Sequence, residues 1–225
     1  MLPQAAGPPG VQDEYMPQQE PAWVGLGANV GAPRASLERA VRALSALPGT
    51  SIEGVSRLYR TRPVGPVPQA DFHNAVAALR VPAGASPEDG ALALLVALKG
   101  LEHTLGRVDR ERWGPREIDL DLLLFGAHAL RVEREGASRS GDPGRGGAQW
   151  LEVPHPSAQE RLFVLAPLAD LAPDQQPPGW GETVAAARAR AQAAEGPDAV
   201  VVVGEWDPQR GGWAETVSAG SGAVR

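Results

Sequence analysis

The sequence contains no cysteine, a single lysine and few aromatic residues, which make up 5% of its 225 residues. The absence of cysteine excludes disulfide bonds, thiolate zinc sites, iron–sulfur clusters and cysteine nucleophiles, and it fits a reducing compartment. The lysine, Lys99, follows the apolar run LLVAL, and no Gly-x-x-x-x-Gly-Lys-Ser/Thr motif is present. P-loop nucleotide chemistry is therefore excluded.

Signals for export or membrane insertion are also missing from the sequence pattern. The first twenty residues contain neither lysine nor arginine and no apolar run, unlike a secretory signal or an Arg-rich transit peptide. No stretch approaches the ~18 consecutive apolar residues of a membrane span. The net charge of −6 argues against a general nucleic-acid or membrane-surface binder, which would need a positive surface. These features predict a soluble, cytoplasmic protein.

Length and composition predict one globular domain with additional segments. Hydrophobic residues account for 43% of the chain and charged residues for 21%, close to globular averages, and this length can bury one sizeable core. The 27 glycines and 22 prolines are concentrated in a few segments. We expect a disordered tail over 1–21, a folded domain over 22–195 with a flexible insertion at 134–149, and an extension over 196–225 that contributes one strand before it becomes disordered.

The order of the predicted elements indicates an α+β fold. An apolar strand begins at Ala22, Pro33 opens a helix, and two strand-like segments follow. The best-marked helix has Ser86 as its N-cap and Gly106 just past its end, and EIDLDLLLF then forms a buried strand. This order is the ferredoxin-like pattern. We expect a three-layer αβα sandwich with a mostly antiparallel sheet.

Two carboxylates in the last of these strands are candidate metal ligands. Asp119 and Asp121 alternate with apolar residues, so both carboxylates stand on one face, with Cβ atoms roughly 7 Å apart. Such a pair can hold one hard cation or bridge two, and Mg²⁺ with nucleotide phosphates is the usual occupant. A solvated sheet face is the alternative. The apolar continuation of the strand favours a central position instead, where unpaired carboxylates are costly.

The segment before this strand is basic and contains four arginines and a tryptophan: Arg107, Arg110, Arg112, Trp113 and Arg116. A flexible basic loop beside a carboxylate pair is what phosphoryl transfer needs, because cations stabilise the equatorial phosphate oxygens. A charged surface loop, in which Asp109 and Glu111 pair with the arginines, is the alternative.

Other polar and aromatic residues suit a nucleotide or a flat heterocycle. Glu102, near the end of the predicted helix, can accept hydrogen bonds from a ribose or balance Lys99. His155 lies between two prolines, where it can bind a phosphate or serve a turn. The Pro-rich loop region offers a hydroxyl, an aromatic face and an amide: Thr61, Phe72 and Asn74.

Taken together, four segments resemble a known family. GLGANVG, LYRTRPVGPVPQADFHNAV, LEHTLGRVDRERWGPREIDLDLLLFG and VPHPSAQERLFVLAPLADLAP occur in the order typical of 6-hydroxymethyl-7,8-dihydropterin pyrophosphokinases and span about residues 23–173. The Arg-Trp-Gly-Pro-Arg-x-Ile-Asp-x-Asp-Leu-Leu run is highly specific. The resemblance implies that 22–195 is a pyrophosphokinase domain, which transfers pyrophosphate from MgATP to the pterin alcohol in folate biosynthesis and releases AMP. We expect a monomer.

The resemblance also implies roles for individual residues. Asp119 and Asp121 would ligate two Mg²⁺ ions, and Arg107 and Arg116 would close on the phosphates as catalytic arginines. ATP would be bound by these two arginines and by five further residues: Glu102, Trp113, Leu122, His155 and Arg161. The pterin would be bound by six residues, of which the two phenylalanines sandwich its ring: Thr61, Val64, Phe72, Asn74, Trp113 and Phe163.

Two other functions stay open at the level of the sequence. GLGANVG resembles a dinucleotide-binding fingerprint, but its spacing is Gly-x-Gly-x-x-x-Gly and no acidic residue follows at the expected distance. A Rossmann-type oxidoreductase would bind NAD(P)H through this segment. A ferredoxin-like binding module would instead bind a ligand without consuming ATP.

Overall fold

The computed structural model describes residues 18–63, 67–108, 114–134 and 148–216. The helices are α1 (Pro33–Ser45), α2 (Pro87–Thr104), α3 (Leu162–Leu171) and α4 (Val184–Glu195). The strands are β1 (Gln19–Ala28), β2 (Ser51–Val55), β3 (Leu58–Thr61), β4 (Phe72–Pro82), β5 (Asp119–Phe125), β6 (Leu130–Arg134), β7 (Gln149–Val153), β8 (Val200–Asp207) and β9 (Gly212–Glu215). Within these ranges no helix combines the length and apolar character needed to cross a bilayer.

The main sheet has the strand order β5-β1-β4-β3-β8-β9, with β2 also paired to β4. Its paired strands are antiparallel, and β6 and β7 form a separate antiparallel pair. Helices α1 and α2 pack on one face, where Leu26 shares a core with Leu37 and Leu98. Helices α3 and α4 pack on the other, where Leu123 lies with Leu168. The α+β sandwich expected from the sequence is confirmed.

Helix α2 follows directly from its sequence. The Ser86 hydroxyl accepts a hydrogen bond from the Asp89 backbone N–H at 3.1 Å, and Pro87 occupies the first turn, where its missing N–H costs nothing. The helix ends at Thr104, two residues before Gly106, whose φ of 93° is left-handed. Its last two turns pass the edge of β5 and present Lys99 and Glu102 there.

Regular strands extend further toward both ends of the chain than the sequence predicts. Strand β1 begins at Gln19 instead of Ala22, because β4 is long enough to pair with its first residues. The C-terminal segment contributes two strands where one was predicted. Trp213 of β9 is 2% exposed and donates its indole N–H to the Ser56 carbonyl at 2.8 Å, a contact between residues far apart in the sequence.

The insertion predicted at 134–149 is narrower than expected at both ends. Arg134 closes β6 and Gln149 opens β7, and these two residues are partners in the antiparallel register. Residues 135–147 lie outside the described part of the chain, as do residues 1–17 and 217–225.

Candidate active site

A cavity of about 490 Å³ lies over the sheet, and its floor includes two glycines of β1. Gly27 pairs with Asp119 on one side and with Asn74 on the other, and Gly25 pairs with Asp121. Directly opposed residues of antiparallel strands place their side chains on the same face. The glycines therefore leave an open trough between the side chains of β5 and β4. A Cβ added at Gly27 would lie 3.2 Å from the Asn74 side-chain oxygen.

The structure brings most of the predicted site residues into this cavity. Its walls include Thr61, Phe72, Asn74, Arg107, Arg116, Asp119, Asp121, Leu122, His155, Arg161 and Phe163. Glu102 lies behind the wall and contacts Arg107. Val64 and Trp113 lie outside the described residues, together with the basic-loop residues Asp109, Arg110, Glu111 and Arg112.

The carboxylate pair stands on one face of β5, as its alternation with apolar residues predicts. The Asp119 side chain is 35% exposed and accepts a hydrogen bond from an Arg107 guanidinium N–H. Burial acts to raise the pKa of the Asp119 carboxyl, but the charges of Lys99, Arg107 and Arg116 outweigh burial and hold it below its usual value. Asp121 is partly exposed. The Asp119 carboxylate is therefore available as an anionic oxygen donor, and the Asp121 carboxyl group stands beside it on the same face of β5.

This donor set fits Mg²⁺. Within the described residues, no group of three or more acidic or histidine side chains is arranged to hold a metal ion. Mg²⁺ is usually bound through one or two carboxylates, while substrate phosphates and water complete its octahedral shell. Two carboxylates at the edge of an open trough satisfy that requirement, and the remaining ligands would come from a bound triphosphate.

Glu102 connects α2 to the outer edge of β5. It is 2% exposed, and its Oε1 accepts hydrogen bonds from Lys99 Nζ at 2.9 Å, Arg107 Nη1 at 2.6 Å and the Leu120 backbone N–H at 2.7 Å. Lys99 also donates to the Leu120 carbonyl at 3.1 Å. Strand β5 is an edge strand, so the central position that its apolar continuation favoured is wrong. The contacts from α2 satisfy backbone groups that would otherwise lack partners at this edge. The ion pair between Lys99 and Glu102, one of the two roles considered for Glu102 from the sequence, is present.

Arg107 joins the two acidic groups, because its guanidinium contacts both Glu102 and Asp119. Burial raises the pKa of Glu102, and the charge of Asp119 raises it further, whereas Lys99 and Arg107 oppose that shift. The cluster therefore places two basic and two acidic side chains together where α2 meets β5.

The wall opposite the carboxylates carries an amide and a hydroxyl. Asn74 and Thr61 are 7% and 5% exposed, and the Asn74 amide donates to the Thr61 hydroxyl at 2.7 Å. That hydrogen bond fixes the orientation of the amide and leaves its oxygen beside Gly27. Phe72 and Phe163 also line the cavity. An aromatic surface beside a fixed amide oxygen suits a flat heterocycle with N–H donors.

His155 and Arg161 lie at the side of the cavity near the start of α3. The His155 backbone N–H donates to the Leu123 carbonyl at 2.9 Å, and its Nδ1 accepts from the Ser157 backbone N–H at 3.3 Å. In the neutral ring the proton is then on Nε2, which is able to donate to an anion. The Arg161 guanidinium lies 5.8 Å from the centroid of the Phe163 ring.

Residues 23–173 match the model of the family described as 7,8-dihydro-6-hydroxymethylpterin-pyrophosphokinase (HPPK). The chain belongs to this family. It is 43% identical over 156 residues to 2-amino-4-hydroxy-6-hydroxymethyldihydropteridine pyrophosphokinase of Pseudomonas aeruginosa, covering 69% of this chain and 83% of that protein. It is 39% identical over 169 residues to the enzyme of the same name from Synechocystis, covering 75% of each chain.

Solved structures of low sequence identity share the fold of this chain. The wild-type HPPK-DHPS of Plasmodium falciparum with pterin and p-hydroxybenzoate superposes with a TM-score of 0.64 at 14% identity, covering 85% of this chain and 48% of that one. A triple mutant of that protein with SDX-DHP gives a TM-score of 0.65 at 13% identity, over 90% and 50% of the two chains. This HPPK-family chain thus spans about half the length of those chains, and the likeness shows the shared fold.

The HPPK-family site contains residues that the sequence did not single out as ligand contacts. Lys99, Gln69 and Trp150 all line the cavity. As the sole lysine, Lys99 could have been recognised as a site cation from its helical spacing with Glu102. Trp150 is 40% exposed, with the Arg131 guanidinium 4.2 Å from its ring centroid. It follows the insertion, where no periodic pattern marks it.

Asn29 is a further residue that the sequence did not identify. It is 7% exposed, and its amide donates to Gln69 Oε1 at 2.9 Å and to the Ala70 carbonyl at 3.0 Å. Its Oδ1 accepts from the Arg116 backbone N–H at 2.7 Å, and its own N–H donates to the Arg116 carbonyl at 2.9 Å. One buried side chain thus links the segment before β4 to the segment that carries Arg116.

We expect Asn29→Ala to lower kcat/KM by about 10- to 100-fold, because misplaced binding groups reduce the population of reactive complexes. The variant removes three side-chain hydrogen bonds and leaves the Arg116 N–H without its acceptor. Asn29→Asp keeps an acceptor for Arg116 but cannot donate to Gln69 or Ala70, so its loss should be smaller. Steady-state kinetics of both variants test the linkage, and an Asn29→Ala enzyme with unchanged kinetics would refute it.

Proposed function

We propose that the protein transfers the pyrophosphoryl group of MgATP to the hydroxymethyl group of 6-hydroxymethyl-7,8-dihydropterin in folate biosynthesis, and that AMP is released. The main support is the trough over Gly25 and Gly27, where the carboxylates of β5 lie opposite the amide of Asn74. The chain that forms this trough is a member of the HPPK family. The proposal includes a monomeric, cytoplasmic enzyme that uses two Mg²⁺ ions.

The two substrates would occupy different walls of the trough. The pterin ring would lie between Phe72 and Phe163, where the Asn74 oxygen can accept hydrogen bonds from its edge. The triphosphate would lie toward Arg107, Arg116 and His155. Binding both reactants in one cavity aligns the attacking hydroxyl with the β-phosphorus and removes the entropic cost of bringing them together during reaction.

The reaction would be an in-line displacement. The hydroxymethyl oxygen forms a bond to the β-phosphorus and loses its proton, while the bond between the β-phosphorus and the α,β-bridging oxygen breaks, so AMP leaves with that oxygen. Mg²⁺ held by Asp119 and Asp121 would neutralise charge on the phosphate oxygens and favour the ionised hydroxyl. No covalent enzyme intermediate is required.

The basic residues would supply the remaining charge stabilisation. Arg107 contacts the Asp119 carboxylate in the structure, and it can turn to the phosphates once that carboxylate binds a cation. Arg116 lines the cavity while Asn29 fixes its backbone. His155 can donate a hydrogen bond from Nε2, and Arg161 can add a further guanidinium. Donors held in place in this way stabilise the negative charge that develops on the phosphate oxygens in the transition state.

Product analysis tests this function directly. The purified chain is incubated with MgATP and 6-hydroxymethyl-7,8-dihydropterin, and nucleotides are resolved by ion-exchange chromatography. The expected result is AMP in equal amount to the pterin diphosphate, formed only when both substrates are present. Formation of ADP, or ligand binding with no AMP, would contradict the proposal. A Rossmann-type oxidoreductase would need a mostly parallel sheet, whereas the paired strands of the described sheet are antiparallel.

Arg116→Ala is expected to lower kcat by about 100-fold while changing the Kd of ATP by less than about 10-fold, because the arginine acts mainly on charge that develops in the transition state. Single-turnover kinetics and nucleotide titration measure the two effects separately. Arg80→Ala, which removes an exposed arginine of β4, is the matched control. A larger effect on ATP affinity than on kcat would contradict this role.

A further inference from the structure

A second cavity, of about 580 Å³, lies beside α1 and the turn between β8 and β9. We call it the α1–β9 cavity; its walls include Arg34, Glu38, Arg42, His73, Arg210 and Gly211–Trp213. His73 lies between Phe72 and Asn74 on β4, whose side chains face the active site. Because strand side chains alternate, His73 points to the opposite face, and the two cavities are separated by the sheet.

The α1–β9 cavity has an excess of positive charge. Arg34 pairs with Glu38 at 3.3 Å and approaches Glu215 at 3.9 Å. Arg42 donates to the Gly211 carbonyl at 3.4 Å. Across the ranges that the structure describes, neither the Arg42 nor the Arg210 guanidinium has a carboxylate oxygen within 4.0 Å. The Arg210 backbone N–H does donate to Asp207 Oδ1, at 3.2 Å. Two arginines that line this space therefore have guanidinium groups that no carboxylate of the described chain pairs with.

The acidic residue in the cavity is already engaged by the protein. Glu38 Oε1 accepts hydrogen bonds from Arg34 and from the Trp213 backbone N–H at 3.3 Å. Gly212 allows this approach, since a Cβ there would lie 2.8 Å from the same oxygen. Glu38 thus holds β9 against α1, and its charge is balanced locally. His73 adds a polar ring whose Nδ1 is buried without a hydrogen-bond partner among the described residues.

We propose that the α1–β9 cavity binds a small phosphate-bearing anion, at a site separate from that for ATP. Guanidinium groups recognise phosphate oxygens through paired, charge-assisted hydrogen bonds, and Arg42 and Arg210 supply two such groups from α1 and from the β8–β9 turn. Residues 210–213 lie outside the range 23–173 that matches the HPPK family model. The site is therefore built jointly by a family helix and by this chain's C-terminal segment.

Amide NMR of the intact chain, without ATP or Mg²⁺, tests the site. Inorganic phosphate and ribose 5-phosphate are titrated separately, which distinguishes free phosphate from a sugar phosphate, and the Gly211 and Gly212 amide signals are followed. We expect saturable shifts with at least one of the two anions. Arg210→Ala should weaken the Kd by about 10-fold or more through loss of a charge-assisted contact, whereas Arg80→Ala should leave it unchanged.

The spectra also report whether each variant is folded, so a failed fold is not mistaken for lost binding. Arg42→Gln provides an independent second variant from α1 and should weaken binding as Arg210→Ala does. If neither anion shifts these glycine signals, or if both variants bind with the unaltered Kd, the α1–β9 cavity is not an anion site. That result would not bear on the proposed pyrophosphokinase function, because the two cavities lie on opposite faces of the sheet.

Discussion

The Asp121→Asn variant is expected to lose turnover by on the order of 1,000-fold or more, because the change removes a metal-binding charge worth several kcal/mol in the transition state. The backbone of β5 pairs with β1 at this position through Gly25, and the side chain is partly exposed. The substitution should therefore leave the fold intact. AMP formation and thermal unfolding measure the two properties on the same sample.

Asp119→Asn should have a comparable effect on turnover, with a second consequence at Arg107. That arginine loses one of its two carboxylate partners, so the unfolding free energy should also change. Asp198→Asn, at an exposed position between α4 and β8, is the matched charge control. Near-normal activity of either the Asp119 or the Asp121 variant, with Mg²⁺ saturating, would overturn the metal assignment.

Glu102→Leu is expected to lower the free energy of unfolding by about 3–5 kcal/mol, the usual cost of removing one partner from a buried ionic cluster. The change leaves Lys99 and Arg107 without this carboxylate, and it leaves the Leu120 N–H at the edge of β5 without an acceptor. Equilibrium unfolding in urea measures the loss.

Two further variants separate the roles of Glu102. Glu102→Gln retains an oxygen for the Leu120 N–H but carries no charge, so its loss of stability should be smaller than that of Glu102→Leu. Glu88→Gln removes an exposed charge from the first turn of the same helix and should cost well under 1 kcal/mol. Equal unfolding free energies of the Glu102→Leu and Glu88→Gln variants would show that the contacts of Glu102 do not stabilise the fold.

Features that depend on local pattern could be predicted from the sequence. The cap at Ser86 and the alternation around Asp119 and Asp121 arise from interactions within a few residues, and the structure contains both. The sequence places Gly25 and Gly27 on one face of a strand. Which residues they lie opposite depends on the register of β1 with β4 and β5, which are distant in the sequence.

Features that depend on long-range contacts could not be found in this way. Asn29 joins two segments that lie about 40 and 87 positions further along the chain, and an asparagine in a glycine-rich segment gives no indication of either partner. Strand β9 owes its place to Trp213, which reaches the Ser56 carbonyl across 157 positions. Helical spacing indicated the Lys99 contact of Glu102, but its contact with Leu120 required the packing of α2 on β5.

The pairing of β3 determines where the chain can be truncated. One side of β3 is bonded to β4 and the other to β8, which begins after residue 173, where the family match ends. A shortened chain that stops there would expose the free edge of β3, a template for strand addition and self-association. The main sheet thus extends beyond the segment that the family model matches, and the strand bearing Thr61 is paired on one side with residues outside that segment.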